Sequence, residues 1–258
     1  MSVTETVLNA VTALFVNFDS EAAAELMKPD YIQHNPSVPT GAAPLLGFLP
    51  ALKESGLTAT PHRILTEGDL VVLHATYHNA QAFGAETLVA FDVFRVEDGK
   101  LAEHWDNLQA AVPADQTASG RSMTDGTTEI TDRDKTAANK TLVTNFIDAV
   151  LYGKAPETIT DYITPDNYAQ HNPLVADGLD GLGAALQAMA DAGTPMSYKE
   201  THIVVAEGNF VFAASEGYLG NQHTAFFDLF RVEDDKIVEH WDTLSPIPTE
   251  FAHENGKF

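Results

Sequence analysis

Apolar and polar residues alternate along the chain with two periods, and the period changes three times. Val3, Val7, Leu8, Val11, Leu14 and Phe15 fall at three- and four-residue spacing, which predicts an amphipathic opening helix. A short helix over 20–27 follows, then an extended or turn segment imposed by the X-Pro bond of QHNP, then a third helix over about 43–54. Beyond residue 60 the period falls to two, predicting strands over 60–66, 69–78, 86–97 and 100–109. The same order then recurs. A helix runs from about 132, with Asp132 or Asp134 as cap, to 151, where Gly153 stops it. Short helices over 156–162 and 179–192 come next, and strands from 197 to 244. Helices first and strands afterwards predict an α+β fold, a curved antiparallel sheet wrapped on a helical layer.

The recurrence is literal as well as rhythmic. FDVFRVEDGKLAEHWD at 91–106 returns as FDLFRVEDDKIVEHWD at 227–242, identical at twelve of sixteen positions. YIQHNP at 31–36 returns as YAQHNP at 168–173, and TEGDLVV at 66–72 as AEGNFVF at 206–212. Offsets of 136, 137 and 140 residues describe a duplicated domain rather than a solenoid repeat. The sequence therefore divides into a first domain over 1–111, a polar Ser/Thr/Asp/Gly-rich linker over 112–131, and a second domain over 132–258 that ends in a short tail.

Composition narrows the chemistry. With 14 basic against 37 acidic residues the formal net charge is -23, which repels phosphate backbones and anionic headgroups, so neither nucleic acid nor membrane is an expected partner. The absence of cysteine removes disulfides, thiolate nucleophiles and Cys-type metal sites. Carboxylates, imidazoles and hydroxyls remain. The first fifteen residues have no basic region before their apolar positions, and no apolar run reaches spanning length, so a cytoplasmic protein is the expectation. GLDGLG at 178–183 is not a phosphate loop, because its order is wrong and no Lys-Ser/Thr follows; it reads as a helix start.

The duplicated hairpin gathers the ionisable groups. One positive-φ position, at Gly99 or Asp235, suits a type I turn with a bulge, which sets Asp92 opposite His104 and Phe94 opposite Ala102. Alternation then brings Asp106 onto the same face, while Phe91, Val93, Leu101 and Trp105 take the other and Arg95 pairs diagonally with Glu103. A two-residue turn would instead put Asp92 with Trp105. His34, from the loop before a helix, joins the cluster; Asp228, His240, Asp242 and His171 repeat it. Such a cluster in a sheet concavity is a pocket candidate, although a lone His or Asp on an inward face is more often a hydrogen-bonded core residue. The apolar outer face and its copy (Phe227, Leu229, Ile237, Trp241) predict two halves packed sheet to sheet as an intrachain pseudo-dimer.

A half built from N-terminal helices, Y-x-Q-H-N-P, EGDLVV and F-D-x-F-R-V-E-D-x-K-h-x-E-H-W-D resembles the SnoaL-like polyketide cyclases of the nuclear transport factor 2-like superfamily, over about 4–109 and again 136–244. The resemblance implies two tandem cone-shaped α+β barrels, each with a pocket. It gives Asp106 and Asp242 the acid/base role in a cofactor-free aldol condensation. Some cyclases carry a His where Asp92 and Asp228 stand, so the substrate does not carry over.

The expected chemistry is aldol condensation or enolisation of a small apolar or carbonyl-containing ligand. Asp106 and Asp242 would be bases, His104 and His240 donors held by Asp92 and Asp228, and His34 and His171 further donors. No cofactor and no metal are expected. Three other readings stand beside it: water activation as in an epoxide hydrolase, a metal held by His34, His104, Asp92 and Asp106, and a non-catalytic binding or assembly protein.

Overall fold

The computed structural model describes residues 1–165 and 167–258. The chain resolves into two compact units, Met1–Ala110 together with Pro248–Phe258, and Ala111–Ile247. The stretch after Ile247, expected to finish the second domain, thus belongs to the first, and the whole of the expected linker belongs to the second.

In the first unit α1 (Val3–Thr12) starts at a capping box: the Ser2 hydroxyl accepts from the Glu5 N–H while the Glu5 carboxylate accepts from the Ser2 N–H. It widens into a π turn over Ala13–Asn17, and α2 (Ser20–Glu25) follows behind an Asp19 cap. The chain extends from Met27 as β1 (Met27–Gln33), four residues before the tyrosine of the YIQHNP motif. Then come α3 (Ala42–Ser55), β2 (Thr58–Glu67), β3 (Leu70–His78), β4 (Thr87–Glu97) and β5 (Lys100–Ala110). The sheet order is β1-β5-β4-β3-β2, with β1 parallel to β5 and every other pair antiparallel.

The second unit repeats this with α4 (Thr136–Phe146), α5 (Ile159–Tyr162), β6 (Ala169–Gln170), α6 (Gly178–Asp191), β7 (Met196–Glu207), β8 (Phe210–Leu219), β9 (Gln222–Glu233) and β10 (Lys236–Pro246), in sheet order β6-β10-β9-β8-β7. The GLDGLG stretch opens α6. Each unit is an α+β cone in which the sheet's inner face closes on the helices. Val7, Leu14, Leu49 and Leu52 meet Val71, Leu73 and Phe94 in the first core; Val143, Phe146 and Ile147 meet Val211, Ala213 and Phe230 in the second. Among the described residues no helix is long and apolar enough to cross a membrane.

The hairpin register differs from the expectation in an instructive way. Asp98 and Gly99 both have positive φ (51° and 72°), as do Asp234 and Asp235 (49° and 57°), so each turn is a two-residue type I′ turn, with Glu97 opposite Lys100 and Val96 opposite Leu101. That register would bring Asp92 against Trp105. A bulge at Ala102 in β5 inserts one residue and restores the parity: Arg95 faces Glu103, Phe94 faces His104, and Asp92 faces Asp106 rather than His104. Val238 does the same in β10, where Asp228 faces Asp242. Because the bulge lies beyond them, Leu101 and Ile237 point inward and join the cores instead of the outer face.

Candidate functional site

Alternation from the bulge onward puts Asp92, His104 and Asp106 on the inner face, all buried, and Asp228, His240 and Asp242 likewise. Two carboxylates directly opposite repel, so each must be compensated by its neighbours. Tyr77 donates its hydroxyl to Asp92 Oδ2 (2.9 Å), His104 Nε2 lies 3.1 Å from Asp92 Oδ1, and Asn35 Nδ2 donates to Asp106 Oδ2 (2.5 Å). In the second unit Tyr198 donates to Asp228 (3.1 Å to either oxygen), His240 Nε2 lies 2.9 Å from Asp228 Oδ1, and Asn172 Nδ2 donates to Asp242 Oδ2 (2.7 Å).

The imidazoles are held from both sides. Gln33 Oε1 accepts the backbone N–H of His34 and of Asn35, which fixes it as the oxygen, so His104 Nδ1 must donate to it (2.9 Å). With Nε2 against Asp92, a proton on each ring nitrogen satisfies both bonds. Gln170 Oε1 holds His240 Nδ1 in the same way (2.9 Å) and accepts the Asn172 N–H. Burial opposes a charged His240, but the hydrogen bond to Asp228 and the charges of Asp242 and Asp228 outweigh it and hold the imidazole above its usual value. These rings therefore have no spare N–H for a ligand, contrary to the donor role expected of them.

Asp242 is the opposite case. Burial is the main cause, helped by the charge of Asp228 and resisted by His240, Asn172 and His171, and the carboxyl is pushed up to about 6. Burial also raises the hydroxyls of Tyr31, Tyr77, Tyr168 and Tyr198, assisted by the carboxylate charges, so all four stay protonated. The Oδ1 atoms of Asp106 and Asp242 are buried and meet no hydrogen-bond partner among the described residues.

Both carboxylates line a cavity within their own unit. The first, with about 540 Å³ of empty volume, is walled by Leu14, Phe15, Leu45, Leu88, Phe94 and Leu108, with Tyr31, Gln33, Asn35, Asp92, His104 and Asp106 as its polar end. The second, about 550 Å³, is walled by residues such as Phe146, Leu182, Met189 and Leu244, with Tyr168, Gln170, Asn172, Asp228, His240 and Asp242 at its polar end. An apolar cavity with a few convergent polar groups is the usual form of a small-molecule site.

His34 and His171, expected beside the carboxylates, lie elsewhere. His34 stacks on Trp105 (ring centroids 4.9 Å apart), donates Nδ1 to Gly256 O (3.0 Å) and sets Nε2 2.9 Å from Glu103, itself bound to Arg95. His171 repeats this against Trp241, Ser122 O and Glu239. In Y-x-Q-H-N-P the pocket takes the alternate residues Tyr31, Gln33 and Asn35, and His34 falls between them on the other face. That two-residue period was readable in the motif; the reach of Tyr77 and Tyr198 across the sheet was not.

Asp92, His104 and Asp106 offer ligand atoms within 4.8 Å of one another, as do Asp228, His240 and Asp242. His34 is not part of the first set. A cation there would compete with the Gln33 and Asp92 bonds that already occupy both nitrogens of His104.

The fold and pocket define a class of protein, a cone-shaped α+β barrel with a polar-ended apolar cavity, here present twice in one chain. A sequence profile of the SnoaL-like domain matches residues 8–104 and 143–240. The chain belongs to that family. No curated protein matches it. Among solved structures it is similar to TsrD from Streptomyces laurentii (21% identity, TM-score 0.36, covering 42% of this chain and 88% of that one). It is also similar to IdmH from Streptomyces antibioticus (23%, 0.35, 42% and 93%) and to an NTF2-like protein of unknown function from Cytophaga hutchinsonii (14%, 0.35, 42% and 91%).

Proposed function

We propose that the protein is a cofactor-free acid/base enzyme acting on a small, largely apolar carbonyl compound. The observation that carries this reading is the Oδ1 atom of Asp242, and with it that of Asp106, each on a buried carboxylate that lines an apolar cavity and without a hydrogen-bond partner among the described residues. Among those residues the Asp106 oxygen has the Lys257 amine beside it at 3.7 Å, and the Asp242 oxygen has no such cation. A polar atom left unpaired in a protein interior is costly, and a ligand proton is the natural partner for it.

In the step this supports, the carboxylate takes the proton from a carbon next to a carbonyl, and the C–H electron pair moves into the enolate. Tyr31 or Tyr168, kept protonated and close enough to feel the neighbouring carboxylates, donates a hydrogen bond to the enolate oxygen. The imidazoles stand at the polar end of each cavity with both ring nitrogens already engaged by Asp92 and Gln33 or by Asp228 and Gln170, and His240, held above its usual value, contributes positive charge there. The enolate carbon then attacks a second carbonyl of the same molecule, and the Asp returns its proton to the new alkoxide. A carboxyl near 6 is poised for such transfer around neutral pH.

The test is a panel of 1,3-dicarbonyl and polyketide-like compounds incubated in D2O and followed by NMR. Deuterium uptake at the α-carbon or ring closure by the parent protein, lost in a D106N/D242N double variant, is the expected result. Binding of the panel with no exchange above buffer would overturn the enzymatic reading and leave a binding protein.

A further inference from the structure

The two pockets carry the same polar residues, but the segments packed beside them differ in sequence, and one of the differences sets a charge beside a pocket carboxylate in the first unit alone. In the first unit residues 252–257 run along the loop that follows β1: Ala252 N–H donates to Pro36 O, His253 Nε2 to Asn35 O, Asn255 Nδ2 to Gln33 O, and Gly256 O accepts from His34. In the second unit residues 118–122 take the same path, with Ala118 N–H on Pro173 O (2.9 Å) and Ser122 O on His171 Nδ1 (2.7 Å). Ala118 and Ser122 correspond to Ala252 and Gly256 with one constant offset, so the residue after each is also a matched pair, Met123 and Lys257. Both are buried. Lys257 Nζ donates to the Asp106 carbonyl (2.5 Å) and lies 3.7 Å from Asp106 Oδ1, too long for a hydrogen bond and close enough for an ion pair. A thioether carries no charge, so Met123 supplies none to the second unit.

We propose that this pair makes the pockets functionally unequal: Lys257 is a positioning residue that fixes Asp106 as the anionic half of a buried ion pair, suited to orienting a ligand, whereas Asp242 is the carboxylate that exchanges protons. The assignment of the proton-exchanging role rests on the acid/base reading above; the electrostatic difference does not. Lys257 approaches Asp106 from outside the residues that line the cavity, so it acts through the carboxylate and not on the ligand. The other groups facing Asp106 are Asp92, His104, Tyr31, Tyr77 and Asn35; those facing Asp242 are Asp228, His240, His171, Tyr168, Tyr198 and Asn172. The sets match residue for residue in kind, except that His171 has its counterpart in His34, so Lys257 is the difference that remains. Burial presses Lys257 towards its neutral amine and Asp106 resists this, so each member of the pair must sense the loss of the other.

Carbon-13 NMR titration of the full chain tests this without any substrate. In Met123→Lys the Asp242 carboxyl should take its proton at least about one pH unit below its parent midpoint, and in Lys257→Met the Asp106 carboxyl should do so about one unit higher than in the parent. In Asp106→Asn the Lys257 amine should lose its proton at lower pH. If Lys257→Met does not fold, Lys257→Gln keeps a donor for the Asp106 carbonyl and removes only the charge. Midpoints that move by less than about 0.3 units in all these variants would mean that Lys257 serves only as a hydrogen-bond donor, and the proposal would fall whatever the turnover. If the dicarbonyl panel is turned over, the acid limb of the pH-rate profile should move to lower pH in Met123→Lys; titrations that shift with no turnover would sink the acid/base reading alone.

Discussion

Tyr77 and Tyr198 bring their hydroxyls to equivalent carboxylates, Asp92 and Asp228, from strands that are not equivalent. Tyr77 lies on β3 opposite Ala59 of β2, while Tyr198 lies on β7 opposite Gly217 of β8. By register from the aspartates, Gly217 holds the place of Tyr77, and Tyr198 that of Ala59. The tyrosine and its small partner have changed places across one strand pair, and the hydrogen bond has been kept. Phe at either position leaves a buried carboxylate short of a charge-assisted bond, so Y77F and Y198F should each lose roughly 1.5–3 kcal/mol in urea unfolding. A loss under about 0.5 kcal/mol in both would show that the hydroxyls are dispensable.

Gly217 is also fixed by space. A Cβ there would come within 2.0 Å of the Ser197 carbonyl, so G217A should destabilise the second unit by about 1–3 kcal/mol through displaced backbone. A thermal melt of G217A matching the parent would show that β7 and β8 can separate at no cost.

Asp242 and His240 set the sign of the pH dependence. A carboxyl whose folded value is raised binds its proton more tightly when folded, so its stabilising protonation is complete near the ordinary value of 3.8 and is lost as pH rises to about 6. His240, also raised, contributes stability below about its ordinary 6.5 that is lost as pH rises through its folded value. Both slopes run the same way. A two-unit rise for Asp242 corresponds to roughly 3 kcal/mol, an upper bound for what D242N should recover at pH 7. Melting curves between pH 4 and pH 8 check this: D242N should flatten the acid part of the slope and melt no lower than the parent at pH 7. A marked drop at pH 7 would make Asp242 a structural anchor.

The type I′ turns offer a control outside the pockets. Asp234 and Asp235 both hold positive φ, where most side chains are strained. Replacing them with Asn-Gly should raise stability by about 1 kcal/mol and leave any turnover unchanged. An unchanged or lowered melting temperature would mean that the turn is relaxed as it stands.

His34 should matter for the segment beside it rather than for proton transfer. Removing the ring in H34A takes away the stack on Trp105 and the bond to Gly256, so limited proteolysis between Pro248 and Phe258 should quicken several-fold. Cleavage at the parent rate would show that the segment is held by its other bonds alone.

The sequence by itself determined the duplication, the helix-then-strand order, the identity of the inner-face aspartates and histidines, and the family, because each is written in local periodicity or literal repetition. Asp92, His104 and Asp106 share a face for the reason alternation gives. The tertiary structure decided what depends on a single inserted residue or on chain segments far apart. The register rested on two errors that cancelled: the turn is tighter than expected, and the Ala102 bulge restores the parity it removes. Neither a bulge nor a turn type has a strong local signature where Asp substitutes for Gly. His34 went to the outer face although Tyr31, Gln33 and Asn35 flank it at alternate positions, since only the sheet edge settles which side of β1 looks inward. Tyr77, Tyr198 and Lys257 reach the aspartates across the sheet or from 151 residues away, and contacts of that range leave no pattern along the chain.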